Sequence, residues 1–133
     1  PMQPKTTLTI ASIIGLIFSS AMFLAPEFVT RGQFPNSEGQ GFADLVTLRY
    51  AIASLILALV IISYHLRDIT GHAFQIHVMR GYTLAFGVVC ITNLALQLTG
   101  KISAVPPIVG TGVIAVLSLL TWRRLVSRTK EEA

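Results

Sequence analysis

The chain has 133 residues, 53% of them hydrophobic and 12% charged, with a net charge of +4, whereas an ordinary soluble domain carries about 25% charged residues. Four stretches, Thr6 to Pro26, Tyr50 to Leu66, Gly81 to Gly100 and Ile102 to Trp122, contain no Asp, Glu, Lys or Arg, which argues against a soluble bundle whose helices keep a polar stripe facing water. The basic residues sit at the ends of these stretches instead of forming a patch, which speaks against a nucleic-acid partner.

Each stretch approaches or meets the roughly 20 residues that a helix rising 1.5 Å per residue needs to cross about 30 Å of hydrocarbon. The expected fold class is all-α: an integral membrane four-helix bundle forming a single domain over 1–133. Its helices are expected at about 7–26, 42–66, 78–99 and 103–123, with an outer loop at 27–41 and an inner loop at 67–77.

In the first span the only non-apolar residues between Leu8 and Ala25 are Thr9, Ser12, Gly15, Ser19 and Ser20. Lys5 before an apolar run resembles a signal peptide, but the run is longer than a typical h-region and Ala25-Pro26-Glu27 is a poor cleavage context. The segment is therefore read as a retained helix. Ala11, Gly15 and Ser19, spaced by four, form a stripe suited to close helix contact.

The outer segment EFVTRGQFPNSEGQGFAD is rich in Gly, Asn, Ser and Pro and carries three acids, the composition of a solvent-facing loop. Phe28, Val29 and Phe34 suit either a short interfacial stretch or the buried aromatics of a connector. The second span opens near Gly41–Phe42 with Asp44 in its first turn, where the helix dipole favours an anion. That places Arg49 a turn or two below the surface, where an arginine is expected to be paired. Glu27 is its expected partner, a lipid phosphate or anionic ligand the alternative. Ser54 and Ala58 supply a second small-residue stripe.

The inner loop has a turn signal at Thr70-Gly71, so the third helix can extend back toward His72, ahead of its membrane part. His65, His72 and His77 cluster near the inner face and invite a haem hypothesis. His72 and His77 are five apart and so do not share a helix face as i,i+4 ligands would, and interfacial solvated histidines are the commoner case. Arg80 is expected to snorkel to headgroups. Thr83, Gly87, Cys90, Asn93 and Gln97 form one continuous face that should look into the bundle. Asn93 and Gln97 there either hydrogen-bond to a neighbouring helix or line a small ligand cavity. The single cysteine, Cys90, excludes an internal disulfide.

Only Leu98 to Ala104 join the third and fourth spans, so those two must be antiparallel neighbours. Pro106-Pro107 opens the fourth, where missing amide donors cost least. Thr111, Ala115 and Ser118 supply its small-residue stripe.

Four spans put both termini on one side, together with Lys5, Arg67, Arg80, Arg123, Arg124, Arg128 and Lys130; Arg31, Arg49 and Lys101 lie on the other. This bias places both termini in the cytoplasm, in the inner (plasma) membrane.

Ala25-Pro26-Glu27 closing the first span, Thr47-Leu48-Arg49-Tyr50 opening the second, Arg80-Gly81 opening the third and a basic tail after the fourth resemble the small four-helix bacterial membrane proteins of unknown function near the DoxX-like group. The resemblance implies a compact four-helix bundle with Glu27, Arg49 and Arg80 at matching positions, and implies no activity. The third and fourth spans also look like one half of a drug/metabolite transporter repeat. The first span lacks the mid-membrane acid of the small multidrug transporters.

Nucleophile–base arrangements, phosphate loops and paired carboxylates are missing from the sequence. The expected role is therefore non-enzymatic: a structural or accessory subunit among membrane lipids, as a homo-oligomer or within a larger membrane complex. The alternative is a carrier or binder of a quinone or lipid, or a small transporter, with Glu27, Arg49, Asn93, Gln97 and Arg80 as intramembrane polar candidates. No cofactor is expected, haem or quinone being the minor options.

Overall fold

The computed structural model describes residues 2–131 and folds them into five helices: α1 Pro4–Leu24, α2 Pro26–Gln33, α3 Gly39–Leu66, α4 His72–Leu98 and α5 Val105–Glu131. Among the described residues there is no strand. The 21, 28, 27 and 27 residues of α1, α3, α4 and α5 make these four helices long and apolar enough to cross a membrane.

The helix ends follow local chemistry. α1 stops at Leu24 because Ala25 precedes a proline, which disfavours helical backbone at the residue before it, and Ala25 sits at φ −138°, ψ 57°. Pro26 then opens α2, and Pro106 and Pro107 fall in the first turn of α5, where no amide donor is lost. The α4–α5 turn closes on Gly100 at φ +73°, with Gly100 N–H donating to Gln97 O at 3.0 Å and Lys101 N–H to Leu96 O at 3.1 Å. This is a glycine-terminated helix end that a side chain at position 100 would strain.

The largest departures from the bounds read off the charges are at the start of α4, the end of α5 and the outer loop. α4 starts at His72, the extension that the turn signal at Thr70-Gly71 allowed ahead of the membrane part placed from 78, with Gln75 N–H already donating to Gly71 O at 2.9 Å. α5 continues to Glu131 instead of 123. Charges mark where a helix leaves hydrocarbon, not where its backbone hydrogen bonds stop. The expected outer loop contains α2, whose Pro26, Val29, Thr30 and Gln33 turn inward while Glu27, Phe28, Arg31 and Gly32 are exposed.

α1 packs antiparallel on α3, and α4 on α5, giving two helical hairpins that meet chiefly along α1 and α5. Small residues let these seams close. A Cβ on Gly15 would lie 2.6 Å from Val60 Cγ2 of α3, and one on Gly110 would lie 2.7 Å from Phe18 Cε2 of α1. Ala11, Ser19 and Ser118 are buried in these seams, but Ser54 and Ala58 are exposed. α3 instead turns Arg49, Ala53 and Ser63 inward, because burying the guanidinium sets the rotation of the whole helix.

The starts of α1 and α4 and the ends of α3 and α5 gather at one end, here termed the basic end. Thr7 and Thr121 share a hydroxyl hydrogen bond of 2.7 Å, Lys5 pairs with Asp68 at 3.5 Å, and His72 Nε2 meets Thr129 Oγ1 at 2.8 Å. Beneath them Leu8, Met79 and Leu125 form a buried apolar cluster flanked by Leu66, Ile76 and Trp122.

Polarity across the molecule is inverted relative to a soluble protein. Thr7, Ser12, Ser19, Thr30, Arg49, Ser63, Ser118 and Thr121 are all buried, while Ile17, Leu24, Leu55, Val88, Ile91 and Leu98 are among the large apolar side chains that face outward.

Candidate ligand cavity

Away from the basic end the two hairpins enclose between them a cavity of about 360 Å³. Its walls are mostly apolar: Ile14, Phe18 and Met22 of α1, Ile52, Ile56 and Val60 of α3, Phe86 and Val89 of α4, and Pro107 and Ile114 of α5. Gln33 of α2 completes the lining. α3 and α4 do not pack closely along their backbones. They are joined instead by a hydroxyl contact of 2.5 Å between Ser63 Oγ and Tyr82 Oη at the lower end of the cavity.

Arg49 closes the opposite end of the cavity with its side chain buried, the residue being only 5% exposed. Nε donates to Thr30 Oγ1 at 3.2 Å and Nη2 donates to Gln33 Oε1, while the guanidinium lies 5.7 Å from the Phe34 ring. Thr30 and Gln33 both come from α2, one turn apart on its inward side. Gln33 does further work: its carbonyl accepts from Ser103 N–H at 2.9 Å in the α4–α5 turn. One residue of α2 therefore holds a side chain of one hairpin and the backbone of the other.

The expected Glu27–Arg49 pair does not form. Among the described residues the ion pairs are Lys5–Asp68 and Arg67–Asp68, both at the basic end. Once 26–33 becomes helical, Glu27 lies on the exposed side, in the first turn where the helix dipole favours an acid. Thr30 and Gln33 then occupy the side facing Arg49. Two neutral groups stand where one carboxylate was expected, so Arg49 has no counter-charge among the described residues.

The polar face expected on the third span is divided. Asn93 lines the cavity but donates through Nδ2 to Val89 O of its own helix at 2.9 Å, not to a neighbouring helix. Gln97 Oε1 accepts from Ala104 N–H at 2.9 Å, holding the backbone just ahead of α5. Cys90 Sγ approaches Ile108 O of α5 at 3.5 Å, and Thr83 bonds back to Met79 O. Arg80 is exposed near the basic end, its guanidinium 5.9 Å from the Trp122 ring.

His65, His72 and His77 are exposed; His65 stands edge-on to Tyr64 and His72 bonds Thr129. No group of three or more His, Cys, Asp or Glu side chains able to hold a metal ion occurs among the described residues.

Thr30, Gln33, Ser63 and Tyr82 are the site residues that sequence reasoning missed. For Thr30 and Gln33 a signal existed: they are three apart, the spacing of neighbours on one helix face, directly after a proline suited to a first helical turn.

No family model, curated protein or solved structure matches this chain.

Proposed function

We propose that this chain is a multi-pass membrane protein of the inner (plasma) membrane that binds a small lipophilic molecule between its two hairpins. The inverted polarity and four apolar helices of sufficient length support the membrane setting. Lys5, Arg67, Arg80, Arg123, Arg124, Arg128 and Lys130 at the basic end support a cytoplasmic placement of that end. The resemblance to the DoxX-like group enters this proposal as architecture only.

One observation carries the ligand reading: an apolar cavity of about 360 Å³ with a buried guanidinium at its end. Binding sites for small molecules are concave, mostly apolar and fitted with a few polar groups that fix orientation. The cavity has that form, with Gln33, Arg49, Ser63, Asn93 and Thr111 as its polar residues, which favours a binder over a purely structural subunit.

The test compares the wild-type protein with Ile56→Phe and Val89→Phe, both of which place a ring in the cavity. After purification from native membranes, extraction and mass spectrometry should find a lipophilic compound with the wild type and little with the filled variants, at equal helicity. Equal occupancy in all three proteins, or an empty wild type with no thermal shift across a panel of lipids and quinones, refutes the reading.

A further inference from the structure

We propose, on the reading of the cavity as a ligand site, that its occupant is a single-chain amphiphile with an anionic head, carboxylate or phosphate monoester. The head would pair with Arg49, and the chain would run down the cavity toward Ser63 and Tyr82.

Charge carries the choice of head. Arg49 offers five N–H donors; Nε–H and one of the two N–H bonds of Nη2 are taken by Thr30 and Gln33, while Nη1 forms no hydrogen bond among the described residues. Neutral acceptors satisfy donors but leave the charge uncompensated, and a charge in a low-dielectric interior is retained at high cost. An anion arriving from the cavity side supplies what Glu27 does not. A guanidinium with a free edge binds carboxylate and phosphate oxygens in a directed, charge-assisted geometry. A quinone, being neutral, meets the donors but not the charge.

Shape carries the choice of tail. From Arg49 to Ser63 the α3 axis runs about 21 Å at 1.5 Å per residue, and the space beside it is lined by Ile52, Ile56 and Phe86. Its volume of about 360 Å³ lies near the low end of the range of roughly 300–1,000 Å³ for ligand pockets, room for one chain instead of two. Because α3 and α4 are held together mainly at Ser63–Tyr82, the gap between them opens the cavity sideways, toward the lipid in a membrane setting. An amphiphile dissolved in the bilayer can enter there tail and head together.

The experiment measures binding to the full chain in detergent for four probes: an alkyl carboxylate, the alkyl monophosphate and the primary alcohol of the same chain length, and a two-chain phosphatidic acid. The wild type should prefer at least one single-chain anion to the alcohol by about tenfold, the worth of one charge-assisted contact, and the anion preferred identifies the head. Arg49→Gln should bring that ratio close to one. Gln33→Glu provides a second variant that keeps Arg49 and nearly the same side-chain shape; its carboxylate supplies an internal counter-charge and should abolish the preference as well.

Equal affinity of the wild type for alcohol and anions overturns the proposal, and so does phosphatidic acid binding as tightly as the single-chain anions. If Ile56→Phe still abolishes binding of the alcohol, the cavity remains a ligand site with a different headgroup. If no probe binds and native extracts of the wild type are also empty, the ligand reading itself fails.

Discussion

At the basic end, Leu8, Met79 and Leu125 are buried against one another and the Lys5–Asp68 pair stays in the open, each partner having 63% of the side chain exposed. Toward the other end the same helices enclose a cavity of about 360 Å³ and bury a guanidinium instead. The hollow is thus local, since the helices around it pack tightly elsewhere along their length. The difference teaches that one end uses its side chains for close packing, while the other gives up packing around a hollow that ends on a buried cation.

Met79→Ala is the strongest attempt to break that contrast. Met79 is fully buried in the apolar cluster, and truncation there should cost about 2–5 kcal/mol. Ile56→Ala, which only enlarges an existing hollow, should cost less than half as much; thermal unfolding of the two variants in detergent decides. Equal losses would mean that the cavity wall is as tightly packed as the basic end.

Gly110→Leu probes the seam beside the cavity. Phe18 lies where the new Cβ must go, so the expected cost is about 1–3 kcal/mol of overpacking. Gly87→Leu on α4 meets nothing within 4 Å and should leave the unfolding temperature close to wild type. A double-mutant cycle of Thr7→Val and Thr121→Val should give a coupling of about 0.6 kcal/mol, the usual size of a hydrogen bond between membrane helices. Asp68→Asn, which removes both ion pairs of the exposed Asp68 carboxylate at the basic end, should not shift the unfolding temperature measurably. A large shift would show the charges there to be structural and the contrast between the ends weaker than described.

The four long helices were legible because charge-free stretches report span length directly, and Arg80, Lys101 and the basic tail marked their ends. Gly100 and Pro106-Pro107 marked the α4–α5 turn for equally local reasons. α2 was not legible, since eight residues containing Gly and Thr beside Pro35 and Asn36 carry a loop composition. Its helix depends on Pro26 at the start and on packing against α3. That omission misplaced Arg49's partner: pairing by charge selected Glu27, whereas the rotation of a short helix brought Thr30 and Gln33. Of the cavity only the polar face of the third span left a trace, in Asn93, because the other walls come from helices far apart in the chain. The binder alternative grouped Arg49, Asn93 and Gln97 among its polar candidates; Arg49 and Asn93 do border one space, whereas Gln97 holds the backbone at Ala104.

The division into hairpins also bears on how the protein is made. Within each hairpin the partners are neighbours in the chain, so their contacts can form as soon as the second helix of the pair has emerged. The seam between hairpins is remote: the Thr7–Thr121 bond closes across 114 positions. The cavity takes wall residues from α1, α3, α4 and α5, so it comes into being only when α5 arrives against α1. The first hairpin alone therefore cannot enclose this space, whose walls are complete only once α4 and α5 have joined it.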